Sequence, residues 1–214
     1  QPLYPRKGVQ ISLTVEATPP FSLFDGIDDY SNLSEQDKYK WIEYHKWKFK
    51  LSWFTKLAGN LVLNTRMQFG FLGLYNRNLG IAPFERFVLG GSGLSGFYFD
   101  GREIIALRGY DDGSLSDATG STMYNKYTFE MRYPLSLNPS ATIYGLVFAE
   151  AGNAWNKFNE FKPFEVKRAL GFGLRVFLPM FGLLGFDMGY GFDDIIPGVP
   201  SGWQTHFIIG QSID

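Results

Sequence analysis

The feature that most constrains the fold is an alternation of apolar and polar residues with a period of two. From Val9 to Ala17 every second residue is apolar, and the residues between them are Gln, Ser, Thr and Glu. This pattern is typical of a β-strand with one polar face and one apolar face. It returns in seven later segments, at about residues 46–53, 61–71, 126–133, 143–151, 170–178, 184–192 and 203–211. We therefore predict an all-β, antiparallel protein with eight main strands.

Composition indicates which solvent each face of these strands meets. Hydrophobic residues make up 45% of the chain and aromatic residues 18%, yet the mean hydropathy is only -0.11. Both values are possible together because polar and apolar residues alternate and do not collect in blocks. The combination favours a transmembrane β-barrel wall, with lipid on one face and a polar lumen on the other. A soluble β-sandwich or lipocalin-like barrel is the alternative, but its outward face would be densely charged.

A transmembrane helix is not supported by the sequence. The nearest candidate, residues 169–186, is interrupted by Arg175, Pro179 and several glycines. Such a segment is more typical of two strands joined by a tight turn. We predict a hairpin there, with the glycines on its inner face.

The predicted connections alternate in length. Long ones fall at 19–38, 75–119, 156–165 and 193–202, and short ones at 55–60, 134–140 and 179–182. Long outer loops and short periplasmic turns are typical of bacterial outer-membrane barrels. Pro134 is predicted to end its strand, because proline cannot donate to the hydrogen-bond ladder.

Charge and residue types exclude several functions. A net charge of -1 with evenly spread Lys and Arg gives no reason to expect nucleic acid as a partner. There is no cysteine, and His45 and His206 lie apart without neighbouring ligand types, so we expect no metal and no cofactor. No nucleophile and base stand out, so we expect no enzyme, such as a barrel phospholipase. Asp111-Asp112-Gly113 is interpreted as a turn, and the stripe Lys46, Lys48, Lys50 as a solvated lumen face.

Several motifs, taken in order, resemble a known family. They are Tyr4 to Gly8, Pro83 to Gly91, Leu107-Arg108-Gly109-Tyr110, Glu150 to Trp155, Phe181 to Asp187 and the closing segment from Trp203. In order and spacing they are similar to the C-terminal half of the barrel in the BamA family of outer-membrane protein assembly factors and their translocase relatives. The resemblance implies that the eight strands are the ninth to sixteenth of a sixteen-stranded barrel. Residues 1–214 would then be the C-terminal part of that barrel, with an extracellular loop at 75–119, in a longer native chain that also holds periplasmic POTRA domains.

The same resemblance implies a function. The family folds and inserts β-barrel proteins into the cell outer membrane through a lateral seam, without nucleotide. Its partners would be unfolded outer-membrane protein clients, accessory assembly proteins and the lipid bilayer. The seam strand would hold Trp203, Thr205, Phe207, Ile209 and Gly210, and we expect its shortness and the glycine at Gly210 to weaken its pairing.

A second expectation concerns the tip of the long loop. Strand parity places Glu130 and Glu150 on the inner face, at positions that match acidic residues contacting the loop arginine in the family. Arg108 would fold into the lumen and bridge the two glutamates, since a guanidinium group needs carboxylate partners in a partly dehydrated site. Gly109 would permit the close approach, and Tyr110 would pack on the glycine-lined wall. The alternative is an Arg108 that is solvated at the loop tip.

Two other functions remain open. A relative within the family could secrete a single partner polypeptide. The chain could also be a complete eight-stranded pore or adhesin barrel, although the interior of such a barrel leaves little room for a folded-in loop.

Overall fold

A computed structural model describes residues 4–27, 29–93, 101–138 and 140–209, except for the side chain of Ile196. Eight strands form one antiparallel sheet, which confirms the predicted fold class. In the order of the sheet they are β1 (Gly8–Ala17), β2 (His45–Lys56), β3 (Val62–Gly73), β6 (Met123–Asn138), β7 (Ala141–Trp155), β8 (Lys167–Leu178), β9 (Gly182–Ile196) and β10 (Val199–Ile209). Each strand thus pairs with the main strand that follows it in sequence.

The two faces of the sheet differ as the alternation predicts. The outer face carries exposed apolar side chains, for example Ile11 at 66%, Phe129 at 54% and Phe172 at 49%. The inner face carries buried polar and charged residues, including Arg132, Glu150 and Asp187. A face this apolar and this exposed suits contact with lipid, because a sheet in water buries its apolar side.

The sheet has two edges, β1 and β10. Among the described residues no pairing joins these two strands to each other. Within the described residues, the sheet is therefore a wall whose edge strands, β1 and β10, each pair with one neighbour.

Two predicted boundaries are wrong. Pro134 does not end its strand: β6 continues to Asn138, and Pro134 pairs with Tyr144 next to a register shift. The proline is tolerated because it lies beyond Arg132, the last residue of β6 that pairs with β3. The predicted long connection at 193–202 is also wrong, since β9 and β10 are joined by a tight turn at Pro197 and Gly198.

Because of the same turn, the last strand is longer than predicted. β10 begins at Val199 and has eleven residues, so it is not short. Its irregular part is at its beginning, where the register shifts at Pro200 and again before Gly202. Gly210, predicted to weaken the strand, lies outside the described residues.

The connection between β3 and β6 folds back against the inner face. It contains a parallel pair that the sequence did not predict, β4 (Phe87–Leu89) with β5 (Glu103–Ile105). Its apolar residues form a buried cluster with the wall: Leu72, Phe87, Leu89, Ile105, Leu107, Tyr110, Leu115, Tyr124 and Ala169. The loop is therefore a packed part of the lumen.

The described helices are short. They are the α-helix α1 (Glu35–Lys38) and two 3₁₀ helices, Phe21–Leu23 and Phe158–Glu160. In the described ranges, no helix has the length and apolar character needed to span a membrane.

Candidate functional site: the loop tip in the lumen

The loop tip reaches the inner wall through a short backbone bridge. Leu107 and Gly91 exchange two backbone hydrogen bonds, of 3.1 and 3.2 Å, so the chain is held in an extended form just before Arg108. Leu107 itself is fully buried. The next three residues, Arg108, Gly109 and Tyr110, therefore start from a fixed position.

Arg108 contacts both glutamates that the sequence singled out. Its Nη2 donates to Glu130 Oε2 at 2.9 Å and to Glu150 Oε1 at 2.8 Å. Its backbone N–H also donates to Glu150 Oε2 at 2.9 Å. Arg108 is 4% exposed, so it is not solvated at the loop tip.

A third carboxylate, missed in the sequence, completes the set. Arg108 Nη1 donates to Asp187 Oδ2 at 3.0 Å, and Asp187 also accepts two hydrogen bonds from Arg175, at 2.6 and 2.7 Å. We call Arg108, Glu130, Glu150 and Asp187 the loop–lumen cluster. Strand parity could have identified Asp187. Its neighbours Phe186 and Met188 point outward, so Asp187 lies on the inner face of β9, where most other residues are glycine.

Further cations surround these carboxylates. Lys126 pairs with Glu150 at 3.0 Å and donates to the carbonyl of Ala106, while Arg132 pairs with Glu130 at 2.7 Å. Each carboxylate of the cluster thus meets at least two cations. This matters because a buried ion pair is stable only when its remaining hydrogen-bonding groups are also satisfied.

The guanidinium group of Arg108 is also held from one side by a ring. Its Cζ lies 3.6 Å from the centroid of Phe148, a cation–π contact in a desolvated site. Burial opposes the charge on Arg108, but the carboxylates of Glu150, Glu130 and Asp187 outweigh it and raise the pKa of Arg108 above its usual range. Arg108 therefore keeps its charge.

Gly109 lies against the bare wall of β9. Its φ of 91° is in the region that favours glycine. A Cβ at Gly189 would lie 2.7 Å from the backbone nitrogen of Gly109, and a Cβ at Gly191 would meet the Gly109 carbonyl oxygen. The wall lacks side chains where the backbone of the loop needs the space.

Tyr110 is fully buried on the same wall. Its hydroxyl donates to the carbonyl of Arg168 at 2.7 Å, and its ring packs beside Gly191. Burial raises the pKa of Tyr110 to about 12, so the hydroxyl keeps its proton and can donate.

His206 was not predicted to contact the loop. It lies on the inner face of β10, 6% exposed, and its Nε2 accepts a hydrogen bond of 2.9 Å from the Gly109 N–H. The signal in the sequence was its parity, opposite to that of Thr205 and Phe207.

The predicted seam residues lie apart from this cluster. Trp203, Phe207 and Ile209 are at least 60% exposed on the outer face of β10, and Thr205 shares their parity. In the described part of the chain β10 pairs with β9 alone, so its other edge carries unpaired backbone groups.

The lysine stripe on β2 is not a solvated face, contrary to the prediction. Lys46 is 2% exposed and pairs with Glu85 at 3.4 Å and Glu103 at 3.2 Å. Lys48 pairs with Glu103 at 3.1 Å and with Glu16 at 2.8 Å. Through Glu85 and Glu103, these contacts attach the β3–β6 connection to the first two strands.

The described residues contain no group of His, Asp or Glu side chains that could hold a metal ion. Asp112 instead accepts a hydrogen bond from the backbone of Ser92, next to a turn closed by Asp111. A cavity of about 470 Å³ remains in the lumen beside the cluster, bordered by Lys50, Arg66 and Arg108 among others.

An antiparallel wall, apolar outside and charged inside, with a loop anchored in its lumen, defines part of a membrane-type β-barrel. A family model described as the Omp85 superfamily domain matches residues 1–213, and the chain therefore belongs to the Omp85 superfamily. Omp85 family barrels are membrane-embedded, and the match supports a member of the barrel-assembly and translocase family. A comparison with curated proteins finds no significant match.

Solved structures with this fold include BamA from Haemophilus ducreyi lacking POTRA domains 1–3. The TM-score is 0.63 at 15% sequence identity, and the match covers 96% of this chain and 38% of that one. At this identity the match shows the fold, a BamA-type barrel wall. The chain spans less than half the length of that relative.

Proposed function

We propose that this chain is the C-terminal half of the barrel of an outer-membrane factor that folds and inserts β-barrel proteins. The work is done by strand pairing at a lateral seam, without nucleotide and without an enzymatic reaction. Unfolded barrel proteins are the clients, and accessory assembly proteins and the lipid bilayer are the other partners. POTRA domains and eight further strands precede this half in the native protein, giving sixteen strands.

One observation supports this proposal most: the loop tip is anchored in the lumen next to the β9–β10 hairpin, and β10 is an edge of the sheet that pairs with β9 alone among the described residues. A client strand can add to such an edge by β-augmentation, since the unpaired N–H and C=O groups form a template. The tight turn between β9 and β10 keeps the edge strand in register along its regular part.

The test is a reconstitution of the native full-length protein in liposomes without nucleotide. A urea-denatured outer-membrane barrel protein is added, and its folding is followed by the shift in gel mobility between unheated and heated samples. We expect faster folding than in liposomes without the protein. Equal folding rates would contradict the proposal.

Secretion of a single partner polypeptide is the second candidate, and it is favoured by membership in a family that includes translocases. The same liposomes distinguish the two. Transport of a polypeptide into the liposome, protected from added protease and without faster barrel folding, would support secretion.

The eight-stranded pore or adhesin is disfavoured because β1 and β10 do not pair with each other among the residues that the structure describes. The denatured mass of the native chain, purified from outer membranes, tests it directly. A mass several times the 24.3 kDa of these residues supports the larger barrel. A mass equal to 24.3 kDa would support the small one.

A further inference from the structure

A hydrogen bond joins the loop tip to the last strand of the sheet. The N–H of Gly109 donates to Nε2 of His206 across 97 residues of sequence. A histidine that accepts at Nε2 carries its proton on Nδ1, so the ring is neutral in this arrangement.

The contact belongs to a two-point attachment of the loop to the terminal hairpin. His206 pairs in register with Asp187 of β9, and Asp187 binds Arg108 at 3.0 Å. Successive loop residues therefore contact successive strands, Arg108 through β9 and Gly109 through β10.

Among the described residues, the hydrogen bond found for the buried Gly109 N–H is the one to His206. A Cβ on Gly109 would lie within about 3 Å of Ala169, Tyr190 and Gly191, so the loop backbone is closely packed against the wall on that side. Without His206 the N–H would be buried and unpaired, which costs more than the net value of one hydrogen bond.

We propose that His206 is a positioning residue that couples the order of the loop tip to the pairing of β10. This coupling rests on the proposed function in one respect only, the role of β10 as the seam strand. The coupling is reciprocal, because two linked equilibria must influence each other equally. Movement of β10 away from the wall releases Gly109, and release of the loop tip loosens β10.

The experiment measures hydrogen–deuterium exchange in the native full-length protein held in lipid nanodiscs. His206→Phe keeps an aromatic ring but removes the acceptor, whereas His206→Gln offers a carbonyl oxygen in its place. The matched control is Gln204→Leu, on the same face of β10, where the only described side-chain hydrogen bond goes to Ser201.

We expect amides 107–111 to exchange at least about fivefold faster in His206→Phe, since about fivefold corresponds to the net value of one hydrogen bond and a buried unpaired N–H costs more. Amides 203–209 should also exchange faster, while His206→Gln and Gln204→Leu stay close to wild type at 107–111. If His206→Phe does not give a folded barrel, His206→Leu takes its place. Unchanged exchange at 107–111 in the variant without an acceptor would overturn the proposal, and so would faster exchange there with no change in β10.

The outcome is distinguishable from a failure of the proposed function. Wild-type protein that does not accelerate client folding would overturn that function, whatever the exchange result. Active protein with unchanged exchange in His206→Phe would overturn the coupling alone.

Discussion

Asp187 lies between two guanidinium groups, and its carboxylate allows Arg108 and Arg175 to approach each other. Both oxygens are used, one by Arg175 and the other by both arginines. Asp187 has no exposed surface. Without its charge, two cations would remain close together in a buried site, and like charges repel more strongly there than at an exposed surface.

We therefore expect Asp187→Asn to destabilise the full-length barrel by about 3–5 kcal/mol, the range for removing one partner of a buried ion pair. Urea unfolding, followed by gel mobility, measures the change. The matched control is Glu165→Gln, which removes a carboxylate from an exposed pair with Lys162 and should cost less than about 1 kcal/mol. Equal effects of the two variants would show that Asp187 has no special role.

Gly189 provides a second test of single residues in the site, because the loop backbone occupies the space where a side chain of Gly189 would lie. Gly189→Ala places a Cβ 2.7 Å from Gly109 N and 3.0 Å from its Cα, so the loop tip must shift. Overpacking of this kind costs about 1–3 kcal/mol. Gly145→Ala is the control, since a Cβ there meets nothing within 4 Å.

Protection of the loop against protease is the readout for this pair. We expect faster cleavage within the β3–β6 connection in Gly189→Ala and no change in Gly145→Ala. Unchanged protection in Gly189→Ala would mean that the loop tip does not need the bare wall.

At the scale of the elements, alternation located all eight main strands, because a period of two is a local property of the sequence. The two wrong strand boundaries have a different origin. Whether Pro134 ends β6 depends on where its antiparallel neighbour β3 begins, and where β10 begins depends on its pairing with β9. Such information lies in the partner strand and not in the segment itself.

In the site, too, some residues could be predicted from the local sequence and others could not. Arg108 with Glu130 and Glu150 could be predicted from strand parity together with a family resemblance. Asp187 and His206 had the right parity but no feature that linked them to the loop, because the link depends on how deep the loop enters the lumen. The parallel pair β4–β5 had no signal either, since each of its strands has only three residues.

A further prediction concerns the contacts that attach the β3–β6 connection to β2. Lys46 of β2 holds Glu85 and Glu103 of the loop and lies 4.9 Å from the ring centroid of Phe87. Lys46→Met keeps most of the volume but removes the charge. We expect at least about tenfold faster proteolysis of the β3–β6 connection, since hydrogen bonds to charged groups contribute about 1.5–3 kcal/mol.

Lys56→Met is the control for that variant, because Lys56 lies in the same strand and is exposed. It should leave proteolysis unchanged. Similar cleavage rates in both variants would contradict an anchoring role for Lys46.

For the whole molecule, the decisive property is that β1 and β10 are edge strands that do not pair with each other in the described part of the chain. An edge strand with unpaired backbone groups recruits another strand, and in lipid an unsatisfied backbone group costs several kcal/mol. The apolar outer face adds to the problem, because it needs lipid or detergent along its whole width. Eight strands with two such edges therefore need partners for both of them.

We predict that residues 1–214 alone, refolded in detergent, associate through their edges and do not form a stable monomer. The full-length protein, in which further strands pair with β1 and β10, should instead refold to a monomer whose gel mobility changes on heating. Light scattering after size-exclusion chromatography gives the mass of each species. A heat-modifiable monomer of 24.3 kDa would show that the eight strands close on themselves, and it would exclude a seam between this half and another.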